Sequence, residues 1–341
     1  MADLLTEARI PPVMSRPQRG AARIVGIGAY RPERIVSNEE ICQHIDSDDA
    51  WIRTRSGIVS RRFAGSETIP EMAAWAASKA LSVAGIVPAD VSCVVLATMS
   101  HLHQAPPAAA VCAAELGADG AVAFDVGAAC AGFSHALAIA NSLVCSGEAR
   151  YVVVAGAERM SDIVDPRDRG TAFLFGDGAG AVVVGPASRT GIGPVVWGSD
   201  TTHLHAIEQS GSFAALKTPG AEPWPYLEMA GREVYRWAIG ALAGVARDAL
   251  DAAGLKPGDI NAFIPHQANL RITDNVVGQL GLPDSVEVSR QIRDDGNTSA
   301  ASIPLALESL ISAGRVRPGD LALLVGFGSG LSYSAQVIAV P

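Results

Sequence analysis

The sequence predicts an α/β protein in which one structural unit occurs twice, and two observations lead to this prediction. Short apolar runs bounded by Gly, Pro or Asp alternate with Ala-rich segments whose apolar residues have helical spacing. Strands that are apolar throughout are buried on both faces, so helices are expected to cover both sides of the sheet. The second observation is an internal repeat.

The predicted elements follow one another along most of the chain. Strands are predicted over residues 91–97, 151–156, 181–184, 262–264 and 321–325. Helices are predicted over residues 71–84, 131–144, 232–252 and 303–312. Strands interleaved with helices in this way are typical of a sheet covered on both faces.

The repeat relates residues 77–100 to residues 246–269 at a constant offset of 169. Ala84-Gly85 in the first segment matches Ala253-Gly254 in the second, and a proline follows in both. Each copy has the pattern of a helix that ends at glycine, a proline-containing turn and a strand. Two tandem copies of one α/β unit are the simplest explanation. Chance similarity of two ordinary helix–turn–strand segments is the alternative.

We predict a flexible tail over residues 1–21, an N-terminal half over residues 22–188 and a C-terminal half over residues 189–341. The first residues lack the apolar core of a signal peptide, and no apolar run reaches the roughly 18 residues that cross a membrane. The net charge of −9 argues against binding to nucleic acid. We therefore expect a soluble, cytoplasmic protein that binds neither nucleic acid nor a membrane.

The five cysteines are scattered along the chain without CxxC pairs. An odd number without a secretory signal argues against a disulfide framework, and the spacing does not suit a zinc site. We therefore expect neither a disulfide framework nor a zinc site. At least one cysteine is then a candidate working thiol, and the others are expected to be small buried apolar residues.

Cys130 is the candidate nucleophile. Residues 124–133 run from an apolar strand through small residues into a helix that is predicted to begin near Cys130. Backbone N–H groups and the helix dipole favour a thiolate at such a position. The small neighbours would let a substrate carbonyl approach the backbone closely. A buried inert thiol is the alternative, and it is the expected state of Cys93, Cys112 and Cys145.

Two further residues follow predicted strands or turns of the second half. His266 comes directly after the strand at residues 262–264, where α/β sheets carry their sites. Asn297 lies in a turn into a small-residue helix start, close to the place that Cys130 has in the first half, although a helix cap is an alternative role. The glycine-rich turn at residues 326–330 can present backbone N–H groups to an anion.

These segments together resemble the β-ketoacyl-ACP synthase III family. AACAGF around Cys130, PHQANLRI around His266 and GNTSAASIP around Asn297 resemble its three active-site motifs in the same order. The likeness covers about residues 22–341 and includes residues 51–58, 175–180 and 326–330. It implies a duplicated thiolase fold with five layers (αβαβα), usually in a homodimer. Fatty-acid initiation and a polyketide starter role both remain open.

The resemblance also implies a role for each active-site residue. Cys130 would take an acyl group from a CoA thioester, and His266 and Asn297 would hold the malonyl carbonyl on acyl carrier protein as the enolate develops. The backbone N–H groups of Cys130 and Ser329 would hold a second oxyanion. Ser329 stands where the family usually has glycine, and its side chain is expected to narrow the site.

Substrate contacts are implied in the same way. Trp51, Arg55 and Arg169 match positions that contact the CoA nucleotide by stacking and charge. Arg236 and Arg271 match positions that dock the acidic carrier protein, so a local basic patch on an acidic enzyme is expected to steer it.

The acyl pocket is expected to include Ala105, Phe175, Leu227 and Met229. Ala105 matches a position where relatives restricted to short primers tend to carry phenylalanine, which closes the partner's pocket across the dimer interface. A methyl group there leaves space for several methylenes, each worth about 0.8 kcal/mol when buried. We therefore expect primers longer than acetyl, branched chains included.

Two other functions are compatible with the same motifs. Relatives with a similar site pass the acyl group to an oxygen or nitrogen nucleophile without decarboxylation. An inactive partner subunit is the non-enzymatic alternative, but such a subunit would be expected to lose the nucleophile, and Cys130, His266 and Asn297 are all present. The resemblance implies acyl-CoA, malonyl-ACP and a second copy of the chain as partners. It also implies chemistry that needs no metal and no redox cofactor. The sequence does not name the primer.

Overall fold

The computed structural model describes residues 20–217 and 224–341. The predicted tail over residues 1–21 therefore lies outside the described residues except at its end. That end differs from the prediction, because Ala21 already pairs with Ala187 in the first sheet. The backbone N–H of Gly20 also donates to the carbonyl oxygen of Cys145 at 2.9 Å.

The elements run from Ala21 to Ala339. The strands are β1 (Ala21–Tyr30), β2 (Arg34–Ser37), β3 (Ser60–Phe63), β4 (Cys93–Ala97), β5 (Val122–Val126), β6 (Val152–Glu158), β7 (Gly178–Ala187), β8 (Val196–Ser199), β9 (Ile207–Gln209), β10 (Leu227–Met229), β11 (Ala262–Pro265), β12 (Glu287–Val288), β13 (Leu321–Gly328) and β14 (Ser332–Ala339). The helices are α1 (Asn38–Ile41), α2 (Asp49–Ser56), α3 (Ile69–Ala84), α4 (Ala108–Leu116), α5 (Gly132–Ser146), α6 (Gly231–Ala252), α7 (Leu270–Leu280), α8 (Ile292–Asp295) and α9 (Ser302–Ser312). Every predicted strand and helix overlaps one of these elements.

Two five-stranded sheets have the same topology. Their orders are β5-β4-β6-β7-β1 and β12-β11-β13-β14-β8. In the first sheet β4 is parallel to β5 and β6, while β7 is antiparallel to β6 and β1. In the second, β11 is parallel to β12 and β13, while β14 is antiparallel to β13 and β8. The predicted duplication of one α/β unit is therefore present in the fold, whereas the division at residues 188 and 189 stays a prediction.

Helices and sheets alternate in five layers. Helices α3 and α4 cover the outer face of the first sheet, and α6 covers the outer face of the second with α7 packed on it. Helices α5 and α9 lie between the sheets and contact strands of both. All positions of β4 and β6 are buried, as expected for strands covered on both faces.

Local sequence features set the element boundaries. Thr68 and Glu71 form a reciprocal capping box at the start of α3, which ends at Gly85 in a left-handed conformation (φ 67°). Strand β1 packs so closely on this helix that a Cβ atom at Gly28 would lie 2.3 Å from the carbonyl oxygen of Ala76. Glycine is therefore required there for the outer helix to approach the sheet.

One helical stretch corrects the sequence analysis. Residues Ala129–Ser146 are 18 residues long with a mean hydropathy of 1.3, which meets the length and composition of a membrane-crossing helix. The prediction that no apolar run reaches this length is wrong for this stretch. However, 61% of it is buried inside the fold, where α5 packs between the two sheets. Burial of this kind is typical of the core helix of a globular protein.

Candidate active site

Cys130 lies in a tight turn between β5 and α5. A 3-10 turn covers Ala129–Ala131, and the α-helix begins at Gly132, just after the predicted start. Ala129 has a left-handed backbone (φ 44°), which is uncommon for a residue other than glycine. This backbone turns the chain sharply from strand to helix, and Cys130 is 8% exposed at the turn.

The second half has an equivalent turn before α9. A 3-10 turn covers Ser299–Ala301, and Ser299 is left-handed (φ 47°) in the way that Ala129 is. Ala300 therefore takes the place of the cysteine in this half. The two turns contact each other. A Cβ atom at Gly156 of β6 would lie 2.3 Å from the carbonyl oxygen of Ala300, so glycine in that strand lets the second turn approach the first sheet.

Asn297 precedes the second turn and is 6% exposed. Its backbone N–H donates to the carbonyl oxygen of Leu174 at 2.8 Å. Its side-chain oxygen Oδ1 accepts the backbone N–H of Ser299 at 2.9 Å. Because the amide oxygen is engaged by the turn, the amide N–H groups are the donors left for a ligand.

His266 follows β11, and its backbone N–H donates to the carbonyl oxygen of Val325 at 2.7 Å. Its Nδ1 lies 2.7 Å from the Ser302 hydroxyl, which also accepts the backbone N–H of Gln267 at 3.4 Å. The hydroxyl is then free to donate to Nδ1, and this assignment places the imidazole proton on Nε2. Complete burial lowers the pKa of His266 to about 3. The site therefore holds a neutral imidazole whose Nε2–H can donate.

One narrow pocket brings the three predicted catalytic residues together. Cys130, His266 and Asn297 line a cavity of about 70 Å³. Four further predicted residues line the same pocket: Phe175, Leu227, Met229 and Ser329. The Phe327 ring packs edge-on against the His266 imidazole, with ring centroids 5.2 Å apart.

The charge state of the thiol differs from the prediction. Burial raises the pKa of Cys130 to about 12, although a hydrogen bond with the Ser299 hydroxyl lowers it. The prediction that the helix start favours the thiolate is therefore wrong, because desolvation is the larger effect. Burial also raises the pKa of Cys112 to about 12 and that of Cys93 to about 11. Cys130 therefore differs from these two buried cysteines in its position in the pocket and not in its acidity.

The glycine-rich turn after β13 packs directly on the nucleophile. A Cβ atom at Gly328 would lie 2.6 Å from the backbone nitrogen of Cys130. The Ser329 hydroxyl donates to the carbonyl oxygen of Ile207 at 2.6 Å, so the side chain is tied to β9. Ser329 lines the same pocket as Cys130.

The three predicted CoA contacts lie together on the surface. The Arg169 guanidinium stacks over the Trp51 ring at 4.6 Å from its centroid, and the Arg55 guanidinium lies at 5.9 Å. Arg169 also donates to the carbonyl oxygen of Asp46 at 2.6 Å. Phe173 packs edge-on against Trp51 with centroids 5.2 Å apart.

The two predicted docking arginines lie on the packed helices α6 and α7. Arg236 and Arg271 are both exposed. The Arg271 guanidinium lies 5.0 Å from the ring centroid of Tyr235, and Tyr235 lines the pocket that contains Cys130. The basic pair is therefore close to one wall of the active-site pocket.

Of the four predicted acyl-pocket residues, Ala105 is the one that does not line this pocket. It is exposed and precedes a cis peptide bond to Pro106. Its neighbours His103 and Pro106 line a separate cavity of about 320 Å³. The predicted contact of Ala105 with a partner's pocket concerns a second copy of the chain and stays a prediction.

Three buried polar residues at the site were missed by the sequence analysis. Ser302 orients His266, and Ser299 contacts both Asn297 and Cys130. Glu158 ends β6 and is completely buried. An acidic residue that ends an otherwise apolar strand was a signal that could have been used, since site residues of α/β proteins lie at the carboxyl ends of strands. In residues 20–217 and 224–341, no group of three or more His, Cys, Asp or Glu is arranged to hold a metal ion.

A five-layer duplicated fold with a cysteine at a strand-to-helix turn is the arrangement of thiolase-fold acyltransferases. Two family sequence models match the chain. The one described as 3-oxoacyl-(acyl-carrier-protein) synthase III covers residues 124–201, and the one for its C-terminal part covers residues 250–340. The chain is 49% identical over 329 residues to β-ketoacyl-(acyl-carrier-protein) synthase III of Streptomyces glaucescens, spanning 96% of this chain and 99% of that protein. The chain belongs to the β-ketoacyl-(acyl-carrier-protein) synthase III family.

Solved structures agree with this assignment. The priming β-ketosynthase from the R1128 polyketide biosynthetic pathway superimposes with a TM-score of 0.94 at 50% identity, over 97% of this chain and 99% of that one. The 3-oxoacyl-(acyl-carrier-protein) synthase III from Aquifex aeolicus VF5 superimposes with a TM-score of 0.87 at 38% identity, over 94% of this chain and 100% of that one. The predicted duplicated thiolase fold is confirmed.

Proposed function

We propose that this protein condenses an acyl-CoA primer with malonyl-acyl carrier protein by a decarboxylative Claisen reaction. The observation that carries the proposal is the convergence of Cys130, His266 and Asn297 in one buried pocket. A nucleophile beside two neutral hydrogen-bond donors suits a reaction that forms a thioester and then an enolate.

In the first half-reaction, Cys130 attacks the thioester carbonyl of acyl-CoA and CoA leaves as the thiolate. The negative charge that develops on the carbonyl oxygen is stabilised by the backbone N–H groups of Cys130 and Ser329. The close packing of Gly328 on the Cys130 nitrogen supports this role, because it brings the two backbone segments side by side. Trp51, Arg55 and Arg169 hold the CoA nucleotide by stacking and charge, and their mutual contacts support a common function.

In the second half-reaction, malonyl-acyl carrier protein loses carbon dioxide. The enolate oxygen receives the Nε2–H of His266 and an amide N–H of Asn297. Both groups are neutral and fixed by their own hydrogen bonds, so they need little reorganisation as the charge develops. The enolate carbon then attacks the Cys130 thioester and releases a β-ketoacyl product.

The carrier protein approaches over α6 and α7. Arg236 and Arg271 are exposed there on a chain whose net charge is −9, so they offer local positive charge to an acidic partner. The stacking of Arg271 on Tyr235, at 5.0 Å, couples this surface to the pocket wall.

The substrate is an acyl primer longer than acetyl, and the enzyme acts as a homodimer in which Ala105 of one copy faces the acyl pocket of the other. The likeness to a priming ketosynthase of a polyketide pathway supports a starter-unit role beside fatty-acid initiation. Phe175, Leu227 and Met229 give the pocket an apolar wall suited to an alkyl chain.

Transfer of the acyl group to an oxygen or nitrogen nucleophile is the competing function. This transfer forms no enolate, so it needs no hydrogen-bond donors beyond the backbone N–H groups of Cys130 and Ser329. His266 and Asn297 nevertheless each present a further donor. Measuring carbon dioxide from carboxyl-labelled malonyl-acyl carrier protein separates the two functions. Release that depends on a loaded acyl group supports condensation, and acyl transfer to an alcohol or amine without release would support the alternative.

A further inference from the structure

Glu158 ends β6 with a buried carboxyl group that the reaction described above does not use. The residue is 0% exposed. Its Oε2 accepts the Thr98 hydroxyl at 3.0 Å and the backbone N–H groups of Met99 and Ser100, both at 3.1 Å. The Ser100 hydroxyl donates to the same oxygen. One side of the carboxyl group is therefore anchored to the loop that follows β4.

The other oxygen of Glu158 holds the turn before α9. Its Oε1 accepts the Ser299 hydroxyl at 2.9 Å and the backbone N–H of Ala300 at 3.4 Å. Ser299 has a left-handed backbone (φ 47°), which is uncommon for serine and persists only where the surrounding contacts hold it. The two hydrogen bonds engage the side chain of Ser299 and the N–H that follows it. Glu158 thus fixes this left-handed residue to the loop after β4.

Ser299 in turn orients the side chain of Asn297. The backbone of Asn297 is held elsewhere, because its N–H donates to the carbonyl oxygen of Leu174 at 2.8 Å and its carbonyl oxygen accepts the N–H of Gly176 at 3.0 Å. The side-chain Oδ1 accepts the backbone N–H of Ser299 at 2.9 Å. The direction in which the Asn297 amide N–H groups point therefore depends on where the backbone of Ser299 lies.

Glu158 makes these contacts as a carboxylate. The backbone N–H of Ala300 on Oε1 and those of Met99 and Ser100 on Oε2 can only donate, so both oxygens must accept. Burial raises the pKa of Glu158, and its hydrogen bonds act in the opposite direction. An amide of the same shape accepts through one atom only, so its NH₂ group would face a backbone donor on one of the two sides.

The charge on Glu158 gives no help to the nucleophile. Burial raises the pKa of the Cys130 thiol, and the charge on Glu158 raises it further. Removal of the charge should therefore not slow the reaction of the thiol with an alkylating reagent. The contribution of Glu158 to the site lies in the hydrogen bonds that it accepts from Ser299 and Ala300.

We infer that Glu158 is a positioning residue for Asn297: its carboxylate holds Ser299, and Ser299 holds the Asn297 amide so that an N–H meets the enolate oxygen. The inference rests on the proposed function for the identity of that oxygen. Because Glu158 is 0% exposed, it acts through Asn297 and not on the substrate.

Glu158→Gln tests this role on enzyme preloaded with an acyl group. The maximal rate of carbon dioxide release from malonyl-acyl carrier protein should fall about 10–10²-fold, because a misplacement of about 1 Å costs this much. The concentration of malonyl-acyl carrier protein that gives half the maximal rate should not change, since the donor acts on charge that develops in the transition state. Alkylation of Cys130 by iodoacetamide, located by peptide mapping, should not slow.

Two further variants support the reading of this result. Ser299→Ala removes the hydroxyl that donates to Glu158 but keeps the backbone N–H that donates to Asn297. It should lower the maximal rate by a smaller factor, since the bond from Ala300 remains, and it is informative if Glu158→Gln does not fold. Glu148→Gln, which changes an exposed glutamate, is the matched control and should behave as the wild type.

A double-mutant cycle tests whether Glu158 acts through Asn297. Asn297→Ala removes the amide that Glu158 is inferred to position. In that background Glu158→Gln should lower carbon dioxide release by less than about twofold, because residues that act as one unit have non-additive effects. If Glu158→Gln cost as much in Asn297→Ala as in the wild type, the inference would be overturned.

Crystal structures of the wild type and Glu158→Gln, both without substrate, give a measure that does not depend on activity. The hydrogen bond from the Ser299 N–H to Asn297 Oδ1 should be lost or lengthened in the variant. The same bond at 2.9 Å in both proteins, or alkylation that slows as much as decarboxylation, would also overturn the inference. A failure of the proposed function looks different: the wild type would release no carbon dioxide, while the Asn297 amide would still be displaced in Glu158→Gln.

Discussion

Ala129 and Ser299 occupy equivalent positions in the two halves of the chain, and both adopt a left-handed backbone, with φ of 44° and 47°. Each residue opens a 3-10 turn that leads into a helix between the sheets. In the first half the next residue is Cys130, and in the second it is Ala300. The duplication thus builds two similar turns, of which one supplies the nucleophile and the other supports Asn297 and contacts the thiol.

His266→Ala and Asn297→Ala should separate the two half-reactions. Each variant loses one donor to the enolate oxygen, so decarboxylation should slow about 10²–10³-fold. Loading of Cys130 should suffer less, because a different oxyanion hole serves that step. Carbon dioxide release and acyl loading are measured on the same preparations. His44→Ala, which removes an exposed histidine, is the control. Unchanged condensation in both variants would refute the assigned roles.

The buried imidazole should make stability depend on pH. Burial lowers the pKa of His266 from 6.5 to about 3, so between these values the unfolded chain binds a proton that the folded chain does not. The contribution of His266 to the free energy of unfolding therefore decreases as the pH falls through this window, by about 2 kcal/mol at about pH 5 relative to about pH 8.

Urea unfolding of wild type and His266→Asn over this pH range measures the contribution. The variant should lose part of the pH dependence, whereas His44→Asn, which replaces an exposed histidine, should retain it. An identical pH dependence in wild type and His266→Asn would mean that the imidazole is not held neutral by burial.

Gly328→Ala should damage the site without a change of charge. The added methyl group would lie 2.6 Å from the backbone nitrogen of Cys130, so the turn after β13 must move away from the nucleophile. The rate at which acyl-CoA loads Cys130 should fall by more than the loss of stability, measured as the change in melting temperature, would explain. Gly244→Ala is the matched control, because its Cβ meets no atom within 4 Å in α6 and should stabilise the helix by up to about 1 kcal/mol. Normal loading in Gly328→Ala would show that the close packing is unnecessary.

Ala105→Phe should shorten the accepted primer. If Ala105 of one copy faces the acyl pocket of the other, an aromatic ring would fill space that longer chains occupy, at about 0.8 kcal/mol per methylene excluded. kcat/KM is compared across acetyl-, butyryl-, isobutyryl-, hexanoyl- and octanoyl-CoA. Ala252→Phe, at the exposed end of α6, should leave the profile unchanged. A wild-type preference for acetyl-CoA, or full use of long primers by Ala105→Phe, would contradict the prediction.

Much of the fold was predictable because strong local signals agree with it. The apolar runs at β4, β6, β11 and β13 have no polar face, and the repeat at an offset of 169 coincides with the equivalent starts of β4 and β11 at Cys93 and Ala262. The positions of Cys130, His266 and Asn297 at turns followed from the same signals together with the motifs.

The remaining features depend on burial and on contacts between distant segments. The helix start at Cys130 predicts a lowered pKa, but the rule ignores the desolvation that raises it to about 12. Glu158 receives hydrogen bonds from two segments that are far apart in sequence, around Ser100 and Ser299, so its position ending a strand did not reveal its partners. The role predicted for Ala105 depends on a contact with a second copy of the chain, and a single chain does not form that contact.

The most direct test of the whole account follows one acyl group through the reaction. Intact-mass measurement after exposure to an acyl-CoA panel, with peptide mapping, should show one acyl group on Cys130. Carboxyl-labelled malonyl-acyl carrier protein should then release one carbon dioxide for each acyl group that leaves the cysteine. Acylation of Cys42, Cys93, Cys112 or Cys145 with Cys130 unmodified, or loss of the acyl group from Cys130 to an acceptor without carbon dioxide release, would contradict the account.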